Sequence, residues 1–279
     1  MKKERVDILL VEQGLFETRE KAKRGVMAGL VYTEKEERLD KPGEKISIET
    51  QLQLKGEGLR YVSRGGLKLE KALEVFQISM QDKLLLDIGS STGGFTDVAL
   101  QNGAAHSYAL DVGYNQLAWK LRQDPRVVVM ERTNFRYCKP EDFEIGVPDI
   151  ATIDVSFISL KIILPVLKTI LKESGEVVAL IKPQFEAGRE LVGKNGVIRE
   201  KSTHELVLEK MLSFIDEQGY SIKGLDFSPI KGGEGNIEFL AYLSWDKDKK
   251  INTTETKIKE LAQTTVESAH QQLKSENSH

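Results

Sequence analysis

A chain of 279 residues, 40% hydrophobic and 30% charged, has room for one large domain and a small one, and the mix of an ordinary globular protein. Its single cysteine, Cys138, excludes an internal disulfide and every cysteine-cluster zinc site, and no metal is expected. The net charge of −3 confines any nucleic-acid surface to a local patch, and no apolar run approaches the roughly 20 residues of a membrane span.

The first segment, MKKERVDILLVEQG, carries acids inside its apolar stretch and no small-residue cleavage site, so a cytoplasmic protein without stable membrane association is expected. Within it, RVDILLVEQG has near-helical apolar spacing and stops at Gly14. Thr18 caps a second helix, REKAKRGVMAG, which ends at Gly29. LVYT and KISIET are short strands separated by EKEERLDKPG with its Pro-Gly turn. Residues 50–63 are polar with two glycines and read as a linker, the interdomain segment proper being 60–63.

From Lys83 strands and helices alternate: KLLLDI, FTDVALQNG, HSYALDV, NQLAWKLRQ, RVVVM, DIATIDV, SLKIILPVLKTILKES, EVVALI and KSTHELVLEKMLSFIDEQG. YSIKGLDFS and NIEFLAYLSW, with only PIKGGEG between them, read as an antiparallel hairpin at the sheet edge. Continuous aliphatic strands alternating with helices predict an α/β fold, a doubly wound, mostly parallel Rossmann-like sheet. From Asp246 the chain is a polar tail, in which Ile258, Leu261, Val266, Ala269 and Leu273 allow either a modest amphipathic helix or a frayed end.

Ligands of such sheets lie beyond the carboxyl ends of the strands. The first strand ends in LLLDIGSSTGGFTD, whose spacing Gly89, Gly93, Gly94 fits the dinucleotide pattern poorly, and Phe95 stands where a phosphate loop needs lysine. No lysine or arginine lies in residues 84–97, which suits a sulfonium cofactor better than a pyrophosphate. S-adenosylmethionine is therefore expected on Gly89, Ser91, Gly93, Gly94 and Phe95, with Asp87 near its amino-acid part, Asp111 near the ribose hydroxyls, Asn134 at the adenine edge and Asp154 closing the site. A nicotinamide oxidoreductase is the alternative enzyme class. A non-enzymatic RNA-binding or membrane-active protein is the other reading.

Methylases of exocyclic amines commonly carry [DN]-P-P-[YFW] after the fourth strand; here that place holds DVSFISL. Cytosine C5 methylation needs a nucleophilic cysteine, and Cys138 is badly located for it. Strand ends instead offer Asp154, Lys182 and Glu238, which Lys68 of SRGGLKLEKAL can join. Two lysines and two carboxylates suit activation of a hydroxyl, with a lysine of lowered pKa as proton acceptor.

SRGGLKLEKAL, LLLDIGSSTGGFTD, YALDVGYNQLAWKLR, ERTNFR, DVSFISL and IKPQFE together resemble the hemolysin A (TlyA) family of ribosomal RNA methyltransferases. The resemblance implies an FtsJ-like methyltransferase domain over 64–245, an S-four-type RNA-binding domain over 1–59, a tail over 246–279, and 2′-O-methylation of cytidines in 16S and 23S rRNA, with ribosomal RNA or subunits as partner. It puts the family's Lys-Asp-Lys-Glu tetrad on Lys68, Asp154, Lys182 and Glu238. Arg5, Arg19, Lys23 and Arg24, clustered at the two amino-terminal helices, are the expected RNA contacts, together with Arg64 and Arg189. Bulk charge lends no support, since residues 1–63 hold thirteen basic and twelve acidic residues. The loop EAGRELVGKNGVIRE is either a lid over RNA or an exposed connection.

Overall fold

The computed structural model describes residues 2–27, 29–55, 60–193, 196–232, 235–247 and 253–275, and divides into two compact units, 1–64 and 65–279.

In the first unit, strand β1 (Lys3–Arg5) leads into helix α1 (Val6–Glu12), followed by helix α2 (Arg19–Met27) and strands β2 (Val31–Thr33), β3 (Lys45–Ser47) and β4 (Leu52–Leu54). β1 pairs with β3 and β2 with β4, both antiparallel. Thr18 Oγ1 accepts the Lys21 N–H at 3.2 Å, the anticipated cap. Val6, Leu9, Leu10, Ala22, Val26, Val31, Leu39 and Leu52 form a small core. The segment read as a linker starts later than expected. Leu52 and Leu54 alternate with glutamines, a two-residue period that lets β4 pair with β2. Gln13 at the end of α1 fixes it, accepting the Leu52 N–H and donating to the Thr50 carbonyl, both at 2.9 Å. Residues 56–59 lie outside the described residues.

The second unit opens with helix α3 (Gly66–Val75). It continues through β5 (Leu84–Ile88), α4 (Gly94–Gln101), β6 (His106–Leu110), the single turn α5 (Trp119–Arg122), β7 (Val127–Met130), β8 (Ile150–Ile153) and α6 (Leu160–Ile170). Then come β9 (Glu176–Ile181), α7 (Pro183–Glu186), α8 (Lys201–Glu217), β10 (Tyr220–Phe227), β11 (Phe239–Trp245) and α9 (Glu255–Ser275). The sheet order is β10-β11-β9-β8-β5-β6-β7. β9, β8, β5, β6 and β7 run parallel, and the β10–β11 hairpin completes the edge antiparallel to them, as the patterning predicts. The chain reverses its winding between β5 and β8, which opens a crevice at their carboxyl ends.

The tail is not an appendage. Ile258, Ala262, Val266, Ala269 and Leu273 on α9 are buried in the same apolar cluster as the sheet and α8. Their spacing of three to four residues is the helical signal, and the polar composition reflects only the outer face. His204 of α8 and His270 of α9 share a buried hydrogen bond, Nδ1 to Nε2, of 2.9 Å. Because Ala262 is fully buried, Ala262→Glu puts an unpaired carboxylate into the core and should lower stability by about 3 kcal/mol. A melting temperature unchanged by that substitution would mean that α9 is not part of the folded unit.

Candidate active site

Register brings four charged side chains to the carboxyl edge of the sheet. Ile88 of β5 lies beside Ile153 of β8, so Gly89 and Asp154 leave their strands at one level. Ile181 of β9 pairs with Phe239 of β11, so Lys182 and Glu238 flank that pair on adjoining strands. Lys68 reaches the same place from α3. Its Nζ lies 2.6 Å from Glu238 Oε2 and 3.1 Å from Asp154 Oδ2. Lys182 Nζ lies 2.6 Å from Asp154 Oδ1, 3.9 Å from Glu238 Oε1 and 3.3 Å from Ser156 Oγ. All four predicted catalytic residues therefore form one cluster, in which Lys68, Lys182 and Glu238 are buried and Asp154 keeps a little exposure.

Burial alone would drive Lys68 toward its neutral form, but Asp154 and Glu238 outweigh it and raise its pKa above the ordinary lysine value. Burial likewise pushes Asp154 up, and the Lys68 and Lys182 ammoniums overcome it, leaving the carboxyl below its usual range. The expectation of a lysine with a lowered pKa therefore fails for Lys68. It stays an ammonium, because two carboxylates sit on it.

The loop after β5 meets the other expectations unevenly. Gly89 has φ +84°, and a Cβ there would fall 2.5 Å from the Asp154 carbonyl oxygen, so only glycine lets the loop pass β8 so closely. Gly93, at φ +96°, caps α4, and a Cβ there would strike Leu121 and Leu117. Gly94 begins α4, and Phe95 is buried in the fold. Asp111 bridges two loops: Oδ2 accepts the exposed Ser91 N–H at 2.8 Å and Oδ1 the Gly113 N–H at 2.7 Å. Asn134 is exposed beyond β7, its side chain accepting the Arg136 N–H at 3.3 Å.

Asp87, expected beside a ligand, is turned into the fold and only 1% exposed. Its Oδ2 accepts the Thr96 N–H at 3.1 Å and hydroxyl at 2.8 Å, and its Oδ1 the Thr152 hydroxyl at 3.1 Å. It ties β5 to α4 and β8, and burial pushes its pKa up to about 7.

Sequence reasoning missed the rim. Phe157, two residues past Val155 in DVSFISL, is 90% exposed with φ +64°, a conformation unusual for an aromatic residue. Its ring lies 5.0 Å from that of Phe185, just after Lys182. Glu186 ties the two loops together, accepting the Ser159 hydroxyl at 2.5 Å and the Leu160 N–H at 2.8 Å. An aromatic residue within a polar motif at a strand end was the available signal.

Among the expected RNA contacts, Arg5 and Arg19 converge on Asp7, a fully buried carboxylate, at 2.9 and 3.0 Å. The Arg5 hydrogen bond, helped by Arg19 against the cost of burial, holds Asp7 at about 2. Part of their job is thus structural, which the helix-face reading overlooked. Lys23 pairs with Glu20 at 2.7 Å, Arg24 is exposed, and Arg64 is half-buried at the end of the first unit. The loop after α7 is anchored at its far end: Asn236 accepts the Ile198 N–H and donates to the Gly196 carbonyl, both at 3.0 Å. Lys194 and the Arg189 side chain lie outside the described residues. Among the described residues no group of side chains could hold a metal ion, and no helix is long and apolar enough to cross a membrane.

A glycine loop without basic residues of its own and a buried cluster of two lysines and two carboxylates thus meet at the carboxyl edge of a Rossmann-like sheet. The FtsJ-like methyltransferase family model matches residues 61–245, and the chain belongs to that family. YqxC of Bacillus subtilis (strain 168), provisionally named an rRNA methyltransferase, is 63% identical over 98% of this chain and 96% of its own length. Hemolysin A of Brachyspira hyodysenteriae is 43% identical over 85% of this chain and 98% of its own. The 16S/23S rRNA (cytidine-2′-O)-methyltransferase TlyA of Mycobacterium tuberculosis is 41% identical over 89% and 92%. A solved structure from Streptococcus thermophilus, provisionally titled a hemolysin, superposes with a TM-score of 0.79 at 62% identity over the whole of both chains.

The Asp87 geometry carries a pH signature. An unfolded aspartate titrates near 3.8 and the buried one near 7. Between these values the folded chain keeps a proton that the unfolded chain has released, so this group's contribution to stability falls as pH rises, by up to about 1.4 kcal/mol per unit. His204, drawn by burial to about 4, contributes the opposite slope. Comparing Asp87→Asn with wild type by urea titration from pH 4 to 7 removes the His204 part. The variant should gain stability relative to wild type as pH rises, and parallel curves would dispose of the buried acid.

Proposed function

We propose that this enzyme transfers a methyl group from S-adenosylmethionine to the ribose 2′-hydroxyl of cytidine in ribosomal RNA, in the cytoplasm. The observation that carries the reading is the Lys68–Asp154–Lys182–Glu238 cluster beside the Gly89 loop. The substrate follows from the mycobacterial relative's name and the chain-long similarity to it.

The residues present fit this cofactor. The glycine loop and its flanks, residues 84–97, contribute no lysine or arginine of their own. Asp111 accepts one bond on each oxygen and retains lone pairs for a ribose diol. When bound, S-adenosylmethionine supplies an electrophilic methyl on sulfur. The chain's own residues deal with the hydroxyl and its proton. Lys68 is committed to two carboxylates, whereas Lys182 has one close carboxylate and a hydroxyl, Ser156 Oγ, at the open side. Lys182 therefore faces the 2′-hydroxyl; with its own proton first released to solvent, its amine receives the hydroxyl proton as the oxygen takes the methyl group. Asp154, held ionised between both lysines, fixes the Lys182 side chain, and Glu238 with Lys68 buttresses Asp154. Phe157, exposed on the rim, offers a stacking face to a base drawn out of its helix, the usual way proteins hold unpaired RNA bases. The first unit acts as a second attachment to RNA through its arginines and lysines.

Lys182→Ala should reduce methyl transfer by about 10²–10⁴ while leaving S-adenosylmethionine affinity by calorimetry unchanged. Turnover within a few-fold of wild type would exclude Lys182 as the proton acceptor. Removing residues 1–59 should leave cofactor affinity intact but raise the RNA concentration needed, by as much as about 10²–10⁴, because a tethered module works through effective concentration. Full activity at low RNA concentration would make the first unit dispensable.

A further inference from the structure

One carboxylate oxygen of Glu238, Oε2, is taken up by Lys68; the other is bounded by main chain. A Cβ on Gly232, in the loop between β10 and β11, would fall 2.1 Å from Glu238 Oε1 and 2.6 Å from its Cδ, so the Gly232 main chain lies directly against that carboxyl group. Gly232 does not have a positive φ, so the backbone itself does not demand glycine here; the space does. The loop is fixed where it makes this contact. The Gly232 N–H donates to the Asn236 carbonyl at 2.9 Å, and the Gly232 carbonyl accepts the Gly235 N–H at 3.2 Å, which closes residues 232–236 into a turn. Asn236, 2% exposed, pins that turn to the loop after α7 through the Ile198 N–H and the Gly196 carbonyl. The Ser228 N–H donates to the Glu238 carbonyl at 2.8 Å, tying the start of the loop to the strand that carries Glu238.

We propose that Gly232 is a positioning residue for proton transfer: its bare main chain is the wall that keeps the Glu238 carboxylate on Lys68 and near Lys182; this rests on the reaction proposed above. Glu238 Oε2 lies 2.6 Å from Lys68 Nζ, and Oε1 lies 3.9 Å from Lys182 Nζ. A Cβ does not approach another heavy atom closer than 3.0 Å, so any larger residue at 232 has to displace one side of the contact by about an ångström. The turn is held by hydrogen bonds along its main chain, whereas the carboxyl is the far end of a flexible side chain, so the carboxyl yields. Lys68 then loses one of its two counter-charges, and Asp154 is left to hold both ammoniums. A misplacement of about 1 Å among reacting groups costs on the order of 10²-fold in rate.

The test uses full-length enzyme, S-adenosylmethionine and ribosomal RNA from a strain lacking the enzyme. Gly232→Ala should lower kcat by about 10²-fold, while S-adenosylmethionine affinity by calorimetry and the KM for RNA stay as in wild type. The substitution should be silent once its partner is gone: added to Glu238→Ala, it should change neither the remaining single-turnover rate nor the melting temperature. Turnover of Gly232→Ala within a few-fold of wild type would overturn the assignment. A further loss of rate or of melting temperature on adding Gly232→Ala to Glu238→Ala would overturn it as well, making Gly232 a residue of its loop alone. So would a raised KM with kcat unchanged, which would place Gly232 on the path of the RNA. If Gly232→Ala does not fold, the assignment holds when the double variant folds as Glu238→Ala does and falls when it does not. Failure of wild type to methylate this RNA would instead bring down the proposed reaction, and that result needs no variant to be recognised.

Discussion

A lysine ammonium placed at the end of a buried strand is costly unless a carboxylate goes in with it. This chain places two there, and the arrangement of the whole carboxyl edge follows. Asp154 lies between Lys68 and Lys182, and Glu238 closes the set from β11. Removing one charge leaves its partners buried without compensation, so the cluster stands as a unit. It also sets the protonation states: Lys68 is kept charged and Asp154 is kept ionised by the same contacts. The glycine loop is subject to this arrangement as well, since Gly89 must clear the Asp154 main chain to reach α4.

Much of this was legible before any coordinates. Continuous aliphatic runs marked the parallel strands, because strands covered on both faces have no polar side to alternate. Lysine and glutamate directly after or before such runs marked the tetrad, because a charge at a strand end needs a partner there. Less legible were features that depend on what lies across the fold. Asp87 ends β5 just as Asp111 follows β6, yet Thr96 and Thr152 turn the first inward while Ser91 and Gly113 keep the second at the surface. Nothing local distinguishes the two. The same holds for Arg5 and Arg19, which look like a basic face until Asp7 is found buried between them.

Composition misled where one face outvoted the other. Helix α9 is polar by count, yet five residues at helical spacing put it into the main core. In residues 50–55, four polar residues among six concealed a strand whose leucines alternate. In both places periodicity carried the information and average polarity hid it. Phe157 is the converse case: an aromatic residue that patterning would assign to the interior stands almost wholly in solvent, held there by a left-handed backbone.

The hydrogen bond between Lys68 and Glu238 spans 170 positions in the chain. Closing so long a loop is entropically unfavourable and is offset only when the intervening strands have already assembled. β5 with its neighbours can pair early, but Glu238 arrives with β11, which must first find β9. The four-charge cluster is therefore complete only when β11 has joined β9. Without β11 in place the two lysines would share Asp154 alone, so the charge balance of the cluster and the completion of the sheet depend on the same strand pairing.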